Sequence, residues 1–155
     1  MTEEYNYDLV VVGGGPAGSS AAFAAAKNGI KVALIEKENS IAETVRTSGV
    51  TWIKSIKEFE IPENCYHPIK NFSFASPNNE VTISDSIATA AVVDVRKTYR
   101  WLPEEAKKLG VDIFVKTNIN DVIKDEEQNI IGVKGTRAEE KITFNSKVVI
   151  DATGF

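Results

Sequence analysis

Hydrophobic and polar positions are arranged in three different ways along this chain, and each way predicts a different element. Leu9, Val10, Val11 and Val12 form an unbroken apolar run that enters a glycine cluster and emerges into an alanine-rich segment. A β-branched run without alternation, bounded by glycine, predicts a strand buried on both faces, as in a parallel sheet. Pro16 to Asn28 then has Pro16 near its first turn, helix formers at Ala21, Ala22, Ala24, Ala25 and Ala26, and Gly29 just past its end, which together predict a helix. Val32 to Ile35 reads as a second buried strand, and the short link through Ile30 and Lys31 completes a βαβ unit.

Further along, the pattern changes. Residues 39–51 turn polar and irregular and predict a loop leaving the sheet; Trp52 to Phe59 follows as a short helix closed by Pro62. Ser76-Pro77-Asn78-Asn79 separates two β-type runs, Phe72 to Ala75 and Val81 to Ser84, and predicts a hairpin. The whole of 39–93 thus reads as an insertion of loop, short helix and β-hairpin. Arg96 to Leu109 is the second clear helix, with Tyr99, Leu102, Ala106 and Leu109 at helical spacing before Gly110. Val111 to Val115 is a third buried strand. Ile119 to Lys124, Ile130 to Thr136 and Lys141 to Phe144 alternate apolar and polar residues, the signature of a half-exposed antiparallel meander. Lys147 to Ile150 is a last buried strand, running into Asp151-Ala152-Thr153-Gly154.

The chemistry concentrates in the first unit of this pattern. Gly13, Gly15 and Gly18 form GxGxxG between a predicted strand and a predicted helix, the context that makes the pattern informative. Gly13 permits a tight turn, Gly15 leaves room for a pyrophosphate, and Gly18 lets the helix pack close to the sheet. The helix N-terminus adds unpaired N–H groups and a positive dipole end. Glu36 ends the second strand near the roughly 20-residue spacing expected of an acid that binds ribose hydroxyls. A carboxylate there disfavours a 2′-phosphorylated dinucleotide. The spacing stops at an adenine dinucleotide and does not separate FAD from NAD.

Composition narrows the picture. The 155 residues, 43% of them hydrophobic, suffice for one compact domain with a core and are few for two. Eighteen basic against 22 acidic residues give a net charge of −4, spread along the chain, without the footprint of a nucleic-acid binder. The single cysteine, Cys65, allows neither an intramolecular disulfide nor a Cys-rich zinc site, so no metal is expected. No secretory signal opens the chain and no apolar run reaches the roughly 18 residues of a membrane span. A cytoplasmic protein is the expectation, with any membrane contact peripheral. Cys65 and His67 lie in a loop between Pro62 and Pro68 without a third orienting group, so they do not read as a nucleophile and base.

Tyr7-Asp8-Leu9-Val10-Val11-Val12-Gly13-Gly14-Gly15-Pro16-Ala17-Gly18 resembles the opening of the FAD-dependent oxidoreductases typified by geranylgeranyl reductases and, more distantly, by aromatic hydroxylases of the p-hydroxybenzoate hydroxylase type. Val148 to Gly154, ending Asp-Ala-Thr-Gly, is similar to that superfamily's later strand and turn beside FAD. The resemblance implies an α/β fold: a Rossmann-like FAD/NAD(P)-binding domain with a parallel sheet plus an antiparallel β-meander, filling 1–155. It implies that Pro16 and Ala17 lie at the pyrophosphate turn, that Glu36 with Lys37 beside it meets the adenosine ribose, and that Thr153 and Gly154 adjoin the cofactor. Arg46, Thr47, Ser48 and Gly49 occupy the loop that in geranylgeranyl reductases reads arginine, cysteine, glycine and approaches the flavin; here Thr47 stands where that cysteine would be. Arg96 is similar to the arginine that opens the second helix and reaches toward FAD phosphate, with Arg100 the alternative if the register is offset. Ile119 opens the strand where the family holds adenine through main-chain atoms.

FAD is therefore the expected cofactor, with NAD(P)H or ferredoxin as candidate electron donors and an isoprenoid lipid as candidate substrate. Because no side chain reads as an acid, base or nucleophile, the catalytic residues are unassigned and the redox chemistry falls to the flavin. The family's second FAD motif, a Gly-Asp pair, and its substrate-covering sheet are absent, so the chain is expected to be an incomplete enzyme, inactive alone and requiring a C-terminal region or a complementary chain. A flavin-dependent aromatic hydroxylase and a non-catalytic dinucleotide-binding fragment are the alternatives.

Overall fold

The structure, a computed structural model, describes residues 3–154. In chain order its elements are β1 (Glu3–Val12), α1 (Pro16–Lys27), β2 (Val32–Ile35), β3 (Val50–Trp52), α2 (Ile53–Glu58), β4 (Tyr66–Ile69), β5 (Asn71–Ser76) and β6 (Asn79–Ser84). Then come β7 (Ala90–Val93), α3 (Val95–Lys108), β8 (Asp112–Phe114), β9 (Thr117–Lys124), β10 (Ile130–Arg137) and β11 (Glu140–Asp151). They form two compact units, one from the chain up to Thr44 and from Tyr99 onward, the other from Val45–Thr98.

The first unit is built on a six-stranded sheet of order β8-β2-β1-β11-β10-β9. β8, β2, β1 and β11 run parallel, whereas β9 and β10 join β11 as an antiparallel meander. The parallel part and meander expected from the pattern are both present. On one face Leu9, Val11, Val32 and Leu34 pack against Ala22 and Ala26 of α1 and Ala106 of α3. Alanine is what lets these helices lie close to the sheet, and each fully buried Val or Leu contributes roughly 1.5–3 kcal/mol. On the other face Val10, Ala33, Ile35 and Phe114 meet Val133, Ile142 and Phe144 of the meander.

Two features of this sheet depart from the simple pattern. Tyr5 and Tyr7 face the same cluster as Val10 and Val12, although odd and even positions of a regular strand should point to opposite sides. The switch occurs at Asp8 and Leu9, whose N–H groups both donate to the Lys31 carbonyl, at 3.0 and 3.2 Å. β11 makes the same switch between Phe144 and Val149, and the register between the two strands stays constant from Glu3 to Val12, so no residue is inserted in either. The ion pair from Lys147 to Asp8, 2.6 Å long, spans the same point from β11. Second, Lys141 to Phe144 and Lys147 to Ile150, expected as separate strands, are one strand of 12 residues. Its early residues pair with β10 while Ile142 to Asp151 run beside β1. The polar residues between them do not interrupt it, because Ser146 is buried in register opposite Tyr7.

The second unit holds a three-stranded sheet of order β3-β7-β4 and the two-stranded hairpin β5-β6. The expected short helix is α2, and the expected hairpin pairs Phe72 with Ile83 and Phe74 with Val81. The expected loop over 39–51 ends instead in β3, because Val50 finds a partner in Val92. β4 and β7 were not anticipated. Pro68 argues against a strand by lacking an N–H, yet β4 lies at the sheet edge, where that loss is tolerated.

Candidate functional site

The first unit brings the glycine turn, the end of β2 and the end of β11 together. Gly13 has φ of 109°, a backbone conformation that side chains rarely adopt, and its N–H donates to the Ile35 carbonyl at 2.7 Å. A Cβ there would lie 2.6 Å from the Ala152 carbonyl carbon and 3.0 Å from the Thr153 nitrogen. At Gly18 a Cβ would drive into the Gly13 carbonyl oxygen. Gly13 is thus required by the meeting of β1 and β11, and Gly18 by the close seating of α1 on its own turn.

Gly15 is different. Its φ of −70° and ψ of −177° suit any residue, and a Cβ there would find no atom of the described residues beyond its own neighbours within 4 Å. Neither strain nor packing inside the chain calls for glycine at this position. It caps α1, whose first helical bond runs from the Ser19 N–H to the Gly15 carbonyl at 2.9 Å. Pro16 brings no N–H, while those of Ala17 and Gly18 precede the helical ladder. The Ser19 hydroxyl donates to the Gly14 carbonyl at 3.0 Å and locks the turn beneath them. No acidic residue stands in the first turn of α1, so the dipole end is not offset by a carboxylate there. The result is an open cradle of N–H groups suited to an anion.

Glu36 closes one side of this cradle. Its Oε2 accepts the Gly14 N–H at 2.9 Å and its Oε1 accepts the Glu38 N–H at 2.9 Å. Each oxygen keeps a further lone pair for a hydroxyl. Lys37 follows, exposed. The backbone around Glu36 is fixed by the segment after β8: the Glu36 N–H donates to the Phe114 carbonyl, the Thr117 N–H to the Glu36 carbonyl and the Lys116 N–H to the Glu38 carbonyl, at 2.8, 3.0 and 2.8 Å. Sequence reasoning missed Val115 to Thr117, since main-chain bonds leave no signature in residue type. On the opposite side, the Thr153 N–H and hydroxyl both donate to the Asp151 carboxylate, at 3.0 and 2.7 Å. These bonds, the backbone one first, hold the Asp151 carboxyl below its ordinary range. Thr153 and Gly154 are exposed beside Gly13.

Ile119 is the third residue of β9, paired opposite Gly135, with its side chain against the Phe114 and Phe144 cluster. The remaining expected residues belong to the second unit. Arg46, Thr47 and Ser48 are exposed. Gly49 is buried with φ of 77°, and a Cβ would lie 2.7 Å from the Val93 carbonyl oxygen and 2.8 Å from Val95 Cγ2. Arg96 is exposed in the first turn of α3. Cys65 is buried and His67 exposed; among the described residues no cluster of His, Cys, Asp and Glu suits a metal ion, and no helix is long and apolar enough to cross a membrane.

Residues 8–155 match the family described as FAD dependent oxidoreductase. The chain is 38% identical over 152 residues to the digeranylgeranylglycerophospholipid reductase of Methanocaldococcus jannaschii, covering 96% of this chain and 38% of that protein. A geranylgeranyl bacteriochlorophyll reductase-like protein from Thermoplasma acidophilum has a similar structure, with a TM-score of 0.85 and 30% identity over 98% of this chain and 40% of the other. The p-nitrophenol 4-monooxygenase of Pseudomonas putida, at 18% identity and a TM-score of 0.77 over 98% of this chain and 42% of the other, shares the fold. The chain therefore spans well under half the length of each.

Proposed function

The chain belongs to the FAD dependent oxidoreductase family, and on that premise we propose that it is the FAD-binding portion of a flavoprotein that reduces isoprenoid double bonds. The observation that carries this reading is Gly15, a glycine whose missing Cβ faces open space at the head of a helix. A pyrophosphate lying against that backbone accounts for it, whereas packing and φ do not.

In this reading the N–H groups of Ala17 and Gly18 hold the pyrophosphate, and Pro16 presets the helix that carries them. Glu36 accepts the adenosine ribose hydroxyls with its free lone pairs, Lys37 flanks it, and main-chain atoms from Val115 to Ile119 border the adenine. Thr153 and Gly154 adjoin the cofactor from β11. Arg46, Thr47, Ser48 and Gly49 approach the flavin, and Arg96 serves a phosphate as a permanently charged fork. Bound FAD supplies the redox chemistry; the protein binds and orients it and tunes its electrostatics.

The reductase branch is favoured over an aromatic hydroxylase because the likeness to reductases includes sequence identity of 38% and 30%, whereas that to the nitrophenol monooxygenase, at 18%, extends to the fold alone. We place the activity in the complete enzyme, with residues beyond this chain or a second chain furnishing the substrate pocket, in a cytoplasmic setting with peripheral access to lipid. Titrating the 155-residue chain with FAD tests the cofactor assignment: saturable quenching of flavin fluorescence, competed by ADP, is expected, and failure of both FAD and ADP to bind overturns it. Anaerobic reduction of a geranylgeranyl chain by the complete enzyme tests the branch, and oxygen uptake stimulated by an aromatic substrate would reassign it.

A further inference from the structure

Arg100 lies in the second turn of α3 and reaches across to the loop that follows Glu36. Its Nε donates to the Ile41 carbonyl at 3.1 Å and its Nη2 to the Ser40 hydroxyl at 3.4 Å. Within the loop, the Asn39 N–H and side-chain amide both donate to the Glu43 carboxylate, at 2.7 and 2.9 Å, and the Glu43 N–H returns to the Ser40 carbonyl at 3.3 Å. Ile41 turns inward, 8% exposed and packed in the core against the sheet, with Ala42 partly buried against the same cluster.

What Ile41 touches gives the guanidinium its significance. At Gly14 a Cβ would stand 3.0 Å from Ile41 Cγ1, 3.0 Å from Glu36 Oε2 and 3.1 Å from Glu36 Cβ. Gly14 is therefore clamped between Glu36 and Ile41, and its N–H is held on Glu36 by that clamp. Arg100 fixes the backbone of one jaw. A two-point anchor matters here because a dinucleotide turn must hold its N–H groups within about 0.5 Å of the productive geometry.

We propose that Arg100 is a positioning residue for the dinucleotide site, acting through Ile41 on Gly14 and Glu36 without touching the ligand. The proposal rests on the reading that the turn from Gly13 to Gly18 binds FAD. It makes the adenosine half of the ligand, and not the flavin, the part whose affinity Arg100 sets. Arginine suits the task because one side chain supplies both the Nε and the Nη2 donor in a planar fork, which lysine cannot do.

The test is a double-mutant cycle between Arg100 and Glu36, read by dissociation constants for FAD and for ADP at a temperature where every variant retains its circular dichroism. Arg100→Ala is expected to weaken both ligands about fivefold, the scale of one charge-assisted hydrogen bond at a partly exposed site. In the Glu36→Ala background the same substitution is expected to change neither, because the clamp it serves is gone. Arg100→Lys, which keeps the charge and one donor, is expected to fall between; it also serves if the alanine variant does not fold. Unchanged ADP affinity in both Arg100 variants, or an equal loss with and without Glu36, overturns the positioning role while leaving the FAD reading intact. A parent chain that binds neither FAD nor ADP removes both.

Discussion

The turn from Gly13 to Gly18 and the loop from Arg46 to Gly49 each place glycine where the family resemblance expects a cofactor, but they need it for different reasons. Gly49 is explained inside its own unit: its φ is positive, and a Cβ would collide with Val93 and Val95 as β3 begins beside β7. In the first unit Gly13 is explained the same way, and Gly18 by its crowded Cβ direction alone. Gly15 alone of these four has neither a positive φ nor a crowded Cβ direction. A glycine that the fold requires says little about ligands, whereas one that the fold does not require points outward.

This contrast can be broken by substitution, and the largest effect is expected where the chain packs on itself. Gly18→Ala puts a methyl into the Gly13 carbonyl and is expected to cost about 3 kcal/mol, at the upper end of ordinary overpacking. The shift of the urea midpoint measures it, and a wild-type midpoint would contradict the packing explanation. Gly49→Ala combines a strained φ with a close carbonyl and is expected to cost about 2 kcal/mol. Here the loss should track the second unit, seen as faster exchange of the Val93 amide, which donates to the Gly49 carbonyl at 2.9 Å.

Glu36→Gln acts at the boundary between fold and ligand. Whichever way the new amide turns, its NH2 faces a backbone N–H, either that of Gly14 or that of Glu38. A loss of FAD affinity of about tenfold is expected from one mispaired donor, with stability lowered by less than for either glycine. Equal FAD binding by the variant would separate Glu36 from the site.

How much of this was legible in the sequence depends on whether side chains or main chain carried the information. β1, α1 and β2 were readable because an unbroken Val run, an alanine face and bracketing glycines leave few alternatives. The change of face at Asp8 and Leu9 was not, since two N–H groups sharing the Lys31 carbonyl involve no distinctive residue. β11 reads as two strands because the polar pair Asn145-Ser146 ordinarily ends a strand; pairing of Asn145 with both neighbours and burial of Ser146 opposite Tyr7 override that preference. In the site, the glycines and Glu36 were visible. The backing from Val115 to Thr117 was hidden in the backbone, and the grip of Arg100 on Ile41 became assignable only with α3 in place.

The smallest expected effect lies at Asp8. Lys147 beside Asp8, with the Lys31 N–H adding to it, holds the Asp8 carboxyl below its ordinary value of 3.8. A depressed carboxyl stabilises the fold above that ordinary value and loses its contribution as the pH falls through the lower, folded one. Asp8→Asn is therefore expected to lower the urea midpoint slightly at neutral pH and to match wild type once the pH is well below 3.8. Screening at this exposed pair keeps the difference small, and 1 M salt should shrink it further.

Gly15→Ser separates what the ligand needs at this position from what the fold needs. Serine is as good a helix N-cap as glycine or better, and its Cβ would enter space that none of the described residues occupies, so the urea midpoint should hold or rise. The FAD dissociation constant should nevertheless increase at least about tenfold, because the new side chain stands where the pyrophosphate approaches the backbone. A Gly15→Ser chain that binds FAD as tightly as the parent would show that no pyrophosphate lies against this backbone.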